Sequence, residues 1–223
     1  TAKDIAHFMI AHLNQGQYQD QSILSSQTTR FMHTTHFQQH ALLDGYCYDF
    51  YENYENGNRA LLHDGDIPPY QSRLYLVPST KTGFFLAMNG SDMTIGEDFT
   101  HAFMDHYFPG EDSSQEAPIL TLDSEKKQEY MGTYFNMRRS RDSFLQIMAL
   151  MMEINIRENE EGRLLLHFPQ FLAKIDPVIL TPTRPDIFIR EDNGEYIVFE
   201  RDQDGQVQYL YGSFLANPMA YEK

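Results

Sequence analysis

Several short patterns carry side chains that could do chemistry. His63-Asp64-Gly65-Asp66 sets an imidazole, two carboxylates and a glycine in four consecutive positions. On a strand lining a cleft, Gly65 would admit close backbone approach by a substrate. The same stretch also reads as a strand end followed by an Asp-Gly turn, with a solvated histidine, and the residues alone leave both readings open. Ser124-Glu125-Lys126-Lys127 spells Ser-x-x-Lys, a hydroxyl nucleophile spaced from an amine. It lies in a charged helix start, where Ser124 reads as an N-cap. Tyr51-Glu52-Asn53 and Tyr54-Glu55-Asn56 read as residues of a polar hairpin tip, and Lys81-Thr82-Gly83 as a turn between two strands. His33, His36 and His40 could place three imidazoles on one helix face. Zinc would need a fourth ligand and no cysteine is near, so this reads as a solvated face and no metal is expected. The Phe and Met stripes read as core, and no cofactor is expected.

The elements that must position these groups follow from composition and period. The chain has 223 residues, 41% of them hydrophobic and 13% aromatic, with no Trp. That is a core-forming composition, long enough for one large core or two modest ones. Lys+Arg is 17 against Asp+Glu 32, a net charge of −15. Such a surface repels phosphate backbones and anionic membranes, so no nucleic acid partner is expected. No apolar run approaches the ~20 residues of a membrane helix. The single Cys47 excludes an internal disulfide. Thr1-Ala2-Lys3-Asp4 has the form of a helix cap, followed by Ile5, Phe8, Met9, His12 and Leu13 at helical spacing. A chain that opens inside a helix cap suggests a fragment of a longer protein. Gly16 stops this helix, and a second is capped at Ser25 or Ser26 and runs through Phe31 and Met32. The period then changes, and residues 45–51, 58–63, 71–77 and 82–89 read as antiparallel strands. Residues 97–107 return to helical spacing. Residues 109–118 are polar, acidic and poor in apolar side chains, and read as a linker. Beyond it, a short helix over 124–131 precedes strands at 132–137, 153–157, 163–167, 187–190, 196–201 and 207–211. Gly162, Gly194 and Gly205 mark hairpin turns. A helix over 143–151 would plug or cover a small barrel or sandwich.

The order of elements in residues 1–108 resembles the C-terminal part of the serine β-lactamase and penicillin-binding-protein superfamily. The branch it is most similar to holds class C β-lactamases and D-alanyl-D-alanine peptidases. The capped helix, Gly45-Tyr46-Cys47-Tyr48-Asp49-Phe50 and His63-Asp64-Gly65-Asp66-Ile67-Pro68-Pro69-Tyr70-Gln71-Ser72 carry this likeness. At the last of these the family has a Lys-Thr-Gly or His-x-Gly motif, then a turn and a strand. Two strands that close on Asn89, and the helix over 97–107, complete the match. The resemblance implies covalent acyl transfer by a Ser-x-x-Lys serine with a Tyr-x-Asn motif. In the family both motifs lie upstream of the capped helix, so here they would lie before Thr1; the literal copies in this chain stand in the wrong order for the family. It also implies that the N–H of Asp66 is an oxyanion-hole donor, and that His63 faces the substrate's carboxylate, with Gly65 beside it and Asn89 nearby.

Tyr130-Met131-Gly132-Thr133-Tyr134, residues 138–143, Gly162 and Val198-Phe199-Glu200 resemble the lipocalin-like barrel that often follows such hydrolases. The expected fold is therefore α+β, with three segments. Residues 1–110 would be a partial β-lactamase-like antiparallel sheet with helices, 111–118 a linker, and 119–223 an all-β, lipocalin-like barrel. The expected function is the C-terminal fragment of a serine hydrolase, inactive alone, whose parent takes a small-molecule or peptide acyl substrate. The resemblance implies an extracytoplasmic location. The alternative is a non-enzymatic small-ligand-binding or regulatory β-barrel module. A homodimer is expected through the exposed sheet edge at 82–89.

Overall fold

The computed structural model describes residues 1–67, 69–90, 92, 94–110, 118–137, 153–169, 176–214 and 217–223. They form two compact units, Thr1–Ser113 and Ser114–Lys223. The fold is mixed α+β with a closed barrel. Among the described residues no helix is long and apolar enough to cross a membrane. Residues 111–117 of the expected linker, and the helix expected over 143–151, lie outside the described residues.

In the first unit, α1 (Ala2–Leu13) begins at Thr1 through a capping box with Asp4. It stops at Gly16, where φ is +91° and a Cβ would run into the Leu24 carbonyl, so only glycine fits. A small ribbon of β1 (Gln17–Tyr18) and β2 (Gln21–Ser22) leads to α2 (Ser26–Met32), capped by Ser25. An antiparallel sheet follows in the order β3 (Tyr51–Glu55), β4 (Asn58–Ile67), β5 (Tyr70–Val77), β6 (Thr82–Asn89). The last element of the unit is α3 (Ile95–Tyr107). Side chains alternate between the two sheet faces. One face packs Leu61, Leu74 and Leu76 with Met9 of α1 and Phe50. The other carries Tyr75 stacked on Phe84 at 5.1 Å, with Phe99 and Phe103 of α3 edge-on to Phe84.

The sheet departs from the sequence reading in three places. The strand expected over 45–51 does not form there: β3 begins at Tyr51, and Asp49 just before it takes a left-handed φ of +58°. β4 does not turn at Asp64-Gly65-Asp66 but continues to Ile67. Asp64 and Arg73 are cross-strand partners, and Arg73 holds the carboxylate through two bonds of 2.9 and 2.7 Å. Both side chains are buried, at 6% and 5% exposure, and Arg73 also donates to Thr100 at 3.0 Å. This pair can form only if the ladder runs past Asp64. The third departure is at the Tyr-x-Asn copies. Tyr51 to Glu55 lie in β3, and Asn53 is buried, where it accepts the Tyr75 hydroxyl at 2.8 Å; of the two copies only Asn56 sits at the hairpin tip, with φ +51°.

The expected partial β-lactamase or penicillin-binding-protein domain does not hold. The described residues make a four-stranded meander and a separate eight-stranded barrel, with no clear β-lactamase fold. The resemblance rested on the order of strands, turns and a final helix. Any antiparallel meander covered by a helix gives that order, so it does not identify a family.

In the second unit, α4 (Ser124–Tyr130) is capped by Asp123, whose carboxylate accepts the Lys126 N–H at 2.8 Å. Ser124 is therefore the first helical residue and not the cap. The barrel strands are β7 (Gly132–Asn136), β8 (Ile154–Glu158), β9 (Leu164–His167) and β10 (Val178–Arg184). They continue as β11 (Ile187–Arg190), β12 (Tyr196–Arg201), β13 (Val207–Phe214) and β14 (Asn217–Glu222). Each pairs antiparallel with its neighbour in sequence, and β14 closes on β7. Closure removes exposed strand edges. The core is aromatic, with the Tyr130, Phe188 and Phe199 rings 4.8 to 5.2 Å apart. Beside it, Arg201 pairs with Asp186 at 2.7 Å and Glu129 at 2.8 Å, and the Tyr130 hydroxyl donates to Asp186.

Candidate functional site

The sheet face that carries Leu74 also forms one wall of an open cleft of about 540 Å³ in the first unit. The alternation of β4 puts His63 and Gly65 on this face. Cross-strand register adds Leu74 opposite His63, Ser72 opposite Gly65 and Phe85 opposite Leu74. The facing wall is Phe8 and His12 of α1, Ile23, Leu24, Met32 of α2, and the pair Asp49 and Phe50. Small-ligand sites have this size and this makeup, an apolar lining with a few convergent polar groups.

The polar groups differ in what holds them. His63 is exposed and stacks on Tyr51, with centroids 5.9 Å apart. A Cβ at Gly65 would come within 2.8 Å of the Ser72 hydroxyl, which donates to the Gly65 carbonyl at 3.4 Å. Asp49 takes φ +58°, a left-handed conformation that Asp tolerates, and the chain there buries Phe50 while Asp49 stays exposed. His12 is 3% exposed, and its Nδ1 lies 3.0 Å from Nε2 of His33. Both imidazoles sit edge-on to Phe50, at 5.3 and 5.5 Å. Burial first, then His12 and the Arg59 guanidinium, push His33 down to about 4. Burial also lowers His12, so the pair is neutral at neutral pH. Behind it the His33 carbonyl accepts from Arg59 at 2.6 Å and from the Cys47 thiol at 3.5 Å. Arg59 is itself paired with Glu52 at 2.6 Å. Burial pushes the Cys47 thiol up and Asp44 up to about 6, the latter with help from Glu52.

Of the residues singled out in the sequence, His63 and Gly65 line the cleft together. Asp66 follows on the same strand, with its side chain on the opposite face and its backbone paired in register with Gln71. Its carboxyl is pushed up by burial and by Asp64. Asn89 pairs with Tyr70 at the end of β6 and is outside the cleft lining. The three histidines do not share a helix face. α2 ends at Met32, His33 turns inward, His36 bonds the Phe31 carbonyl at 2.8 Å, and His40 accepts the Leu42 N–H. The Ser124 pattern carries no site, because Lys127 is held by Glu158 at 2.7 Å and the Gly162 carbonyl at 2.6 Å. Lys81 sits in the turn before β6, at φ +55°. Among the described residues no cluster of three or more His, Cys, Asp or Glu is arranged to hold a metal. His12, Asp49 and Ser72 were missed as cleft residues. The one signal for His12 was an imidazole within the apolar stripe of α1.

No family model matches the sequence, and no curated protein does. Among solved structures the chain is similar to SurE, at 17% identity and TM-score 0.56, over 100% of this chain and 48% of that one. SurE with D-Leu is similar at 17% identity and TM-score 0.47, over 88% and 43%. The octameric penicillin-binding protein homologue from Pyrococcus abyssi is similar at 13% identity and TM-score 0.42, over 99% and 46%. The chain thus spans about half the length of the structures it matches. At 17% identity the likeness to SurE is one of fold alone.

Proposed function

We propose that the first unit binds a small, peptide-like acyl compound in the cleft beside β4, and that the barrel is an accessory module without chemistry of its own. The observation that carries this is the composition of the cleft. An apolar side chain would lie against Phe8, Leu24, Phe50 and Leu74. Asp49 would accept an N–H, and His63 would donate to a carbonyl or carboxylate. Burying one leucine-sized side chain there contributes about 1.5–3 kcal/mol. Ser72 is the hydroxyl in the cleft, and it donates to a carbonyl instead of to a base, which favours binding over acyl transfer. The aromatic packing of the barrel core favours an accessory role for the barrel over a ligand cavity inside it.

The test is titration of the chain with N-hexanoyl-leucine, followed by amide NMR. Shifts should cluster at residues 8–12, 49–50, 63–65 and 72–74. Leu74→Trp should fill the cleft and abolish binding. Shifts confined to residues 114–223, or binding unchanged in a folded Leu74→Trp variant, would overturn the reading.

A second reading concerns partners. β6 ends the sheet, and among the described residues no strand pairs with its outer side. Such an edge invites pairing with a second copy. The charge of −15 opposes association, but exposed charges are screened beyond ~8 Å at physiological salt. Light scattering at micromolar concentration should therefore give a dimer. A monomer with slow hydrogen exchange along residues 83–88 would sink this reading.

A further inference from the structure

The His12–His33 pair has no role in holding an apolar side chain, yet its His12 forms part of the cleft wall. His12 comes from α1 and His33 from the C-terminal end of α2, and their only shared feature in sequence is residue type. The 3.0 Å contact between Nδ1 of His12 and Nε2 of His33 needs one donor and one acceptor. It therefore couples the tautomers of the two rings, so that Nε2 of His12 accepts when Nδ1 donates and donates when Nδ1 accepts. Phe8, 4.4 Å from the His12 ring, and Phe50, 5.3 Å from it, fix the ring's orientation. His12 lines the cleft, and among the described residues its Nε2 makes no hydrogen bond. A polar atom in an apolar wall, with its orientation set and its tautomer coupled to that of His33, is built to read a partner, and an amide offers it both a donor and an acceptor.

We propose that His12, positioned by His33, selects ligands that carry an uncharged polar group, an amide, at the inner wall of the cleft. This rests on the cleft reading given above and adds to it. Asp49 and His63 are exposed and can be satisfied by water, so they orient a ligand with little discrimination. His12 is buried. A ligand that covers it without bonding Nε2 strands a polar atom, and discrimination is strongest where a buried group would otherwise be left unpaired. Burial and the nearby Arg59 keep the pair neutral, which suits a neutral partner and disfavours an ammonium or a second carboxylate at this depth. The ligand class is thus an N-acyl amino acid or the end of an N-acylated peptide, with its amide against His12.

Two probes of equal length separate the ideas: N-hexanoyl-leucine and 2-isobutylnonanoic acid, in which two methylenes replace the amide. The chain should prefer the amide. His12→Leu should weaken N-hexanoyl-leucine by about tenfold and leave the hydrocarbon analogue as tight or tighter. His12→Gln should restore part of the preference. His33→Leu should lower the ratio of the two affinities without changing the affinity for the analogue, an effect that a merely structural role would not produce. A measurement on the unmodified chain guards against misfolded variants. The ¹⁵N shifts of the His12 imidazole should move on adding the amide and stay put on adding the analogue. Equal affinities of the unmodified chain for both probes, or an unchanged ratio in His12→Leu, would overturn this inference while leaving the cleft intact. Failure of both probes to bind would overturn the cleft reading and this one with it.

Discussion

His33 is half-buried against Phe50 and lies near His12 and the Arg59 guanidinium, so its protonated form is disfavoured and its pKa falls to about 4. An unfolded histidine titrates near 6.5. Between those values the unfolded chain binds more protons, so stability rises with pH, is fully present above 6.5, and is lost as pH falls toward 4. The first unit should lose on the order of 2 kcal/mol from this group alone. Urea midpoints of the unmodified chain and His33→Gln at pH 7 and pH 4.5 isolate it, and the variant should show the smaller pH dependence. His101 works in the opposite sense. Hydrogen bonds that it donates to the carboxylates of Glu55 first, then Glu97, raise it to about 10. Its contribution is fully present below 6.5 and fades as pH rises toward 10. The side chain is 42% exposed, so solvent screens the effect. His101→Gln should destabilise more at pH 6 than at pH 9.5, and equal losses at the two values would contradict the assignment. Neither environment was legible in the sequence. His12 and His33 meet across a fold that joins two helices, and His101 meets Glu55 from a helix onto a strand. Spacing along one chain does not encode contacts of that kind.

At the level of elements, strands that are uninterrupted apolar runs are readable and interrupted ones are not. β6, β11 and β12 match their expected spans, because each is a short continuous apolar run bounded by turn residues. β10 and β14 were passed over, and each contains a proline, at Pro182 and Pro218. Proline is tolerated where the ladder shifts, and the register shift between Pro182 and Arg184 is such a place. β4 was cut short for a related reason, since Asp-Gly is a turn signal whenever the cross-strand partner is unknown. That partner is Arg73. Asp64→Ala leaves a buried guanidinium without its carboxylate, which costs about 3–5 kcal/mol. Chemical denaturation should register that loss, and Asp66→Ala, two residues along the same strand and exposed, should cost far less. Equal losses would mean that β4 is not held past Asp64 by the ion pair. The cleft depends on the same pair, because His63 and Gly65 line it only while the strand runs straight, so Asp64→Ala should also weaken ligand binding.

Across the whole molecule the two units differ in how completely they bury their apolar surface. The cluster in the barrel takes a buried residue from every one of its eight strands, from Tyr134 in β7 to Tyr221 in β14. A closed ladder leaves no edge to fray. In the first unit the cluster between α1 and the sheet is small, Met9, Phe50, Leu61, Leu74 and Leu76. Phe8, Ile23, Phe31, Phe37, Tyr48, Ile67 and Tyr70 are exposed there, whereas Ile119 and Met137 are the large apolar side chains exposed among the described residues of the second unit. Apolar burial scales with area, at about 25 cal/mol per Å², so the first unit has the smaller driving force per residue. Each unit has its own core, and units with separate cores unfold separately. Heating should therefore give two transitions, with the first unit melting first. Hydrogen exchange should show amides at 61–62 and 74–76 opening together, while those at 164–166 and 197–199 stay protected. A chain of residues 114–223 alone should keep the second transition at an unchanged temperature. Phe188→Ala, at the centre of the aromatic core, should lower that transition by about 3–5 kcal/mol and leave the first where it was. A single coincident transition, shifted as a whole by Phe188→Ala, would show that the two cores stabilise each other and that the barrel cannot be treated as an independent module.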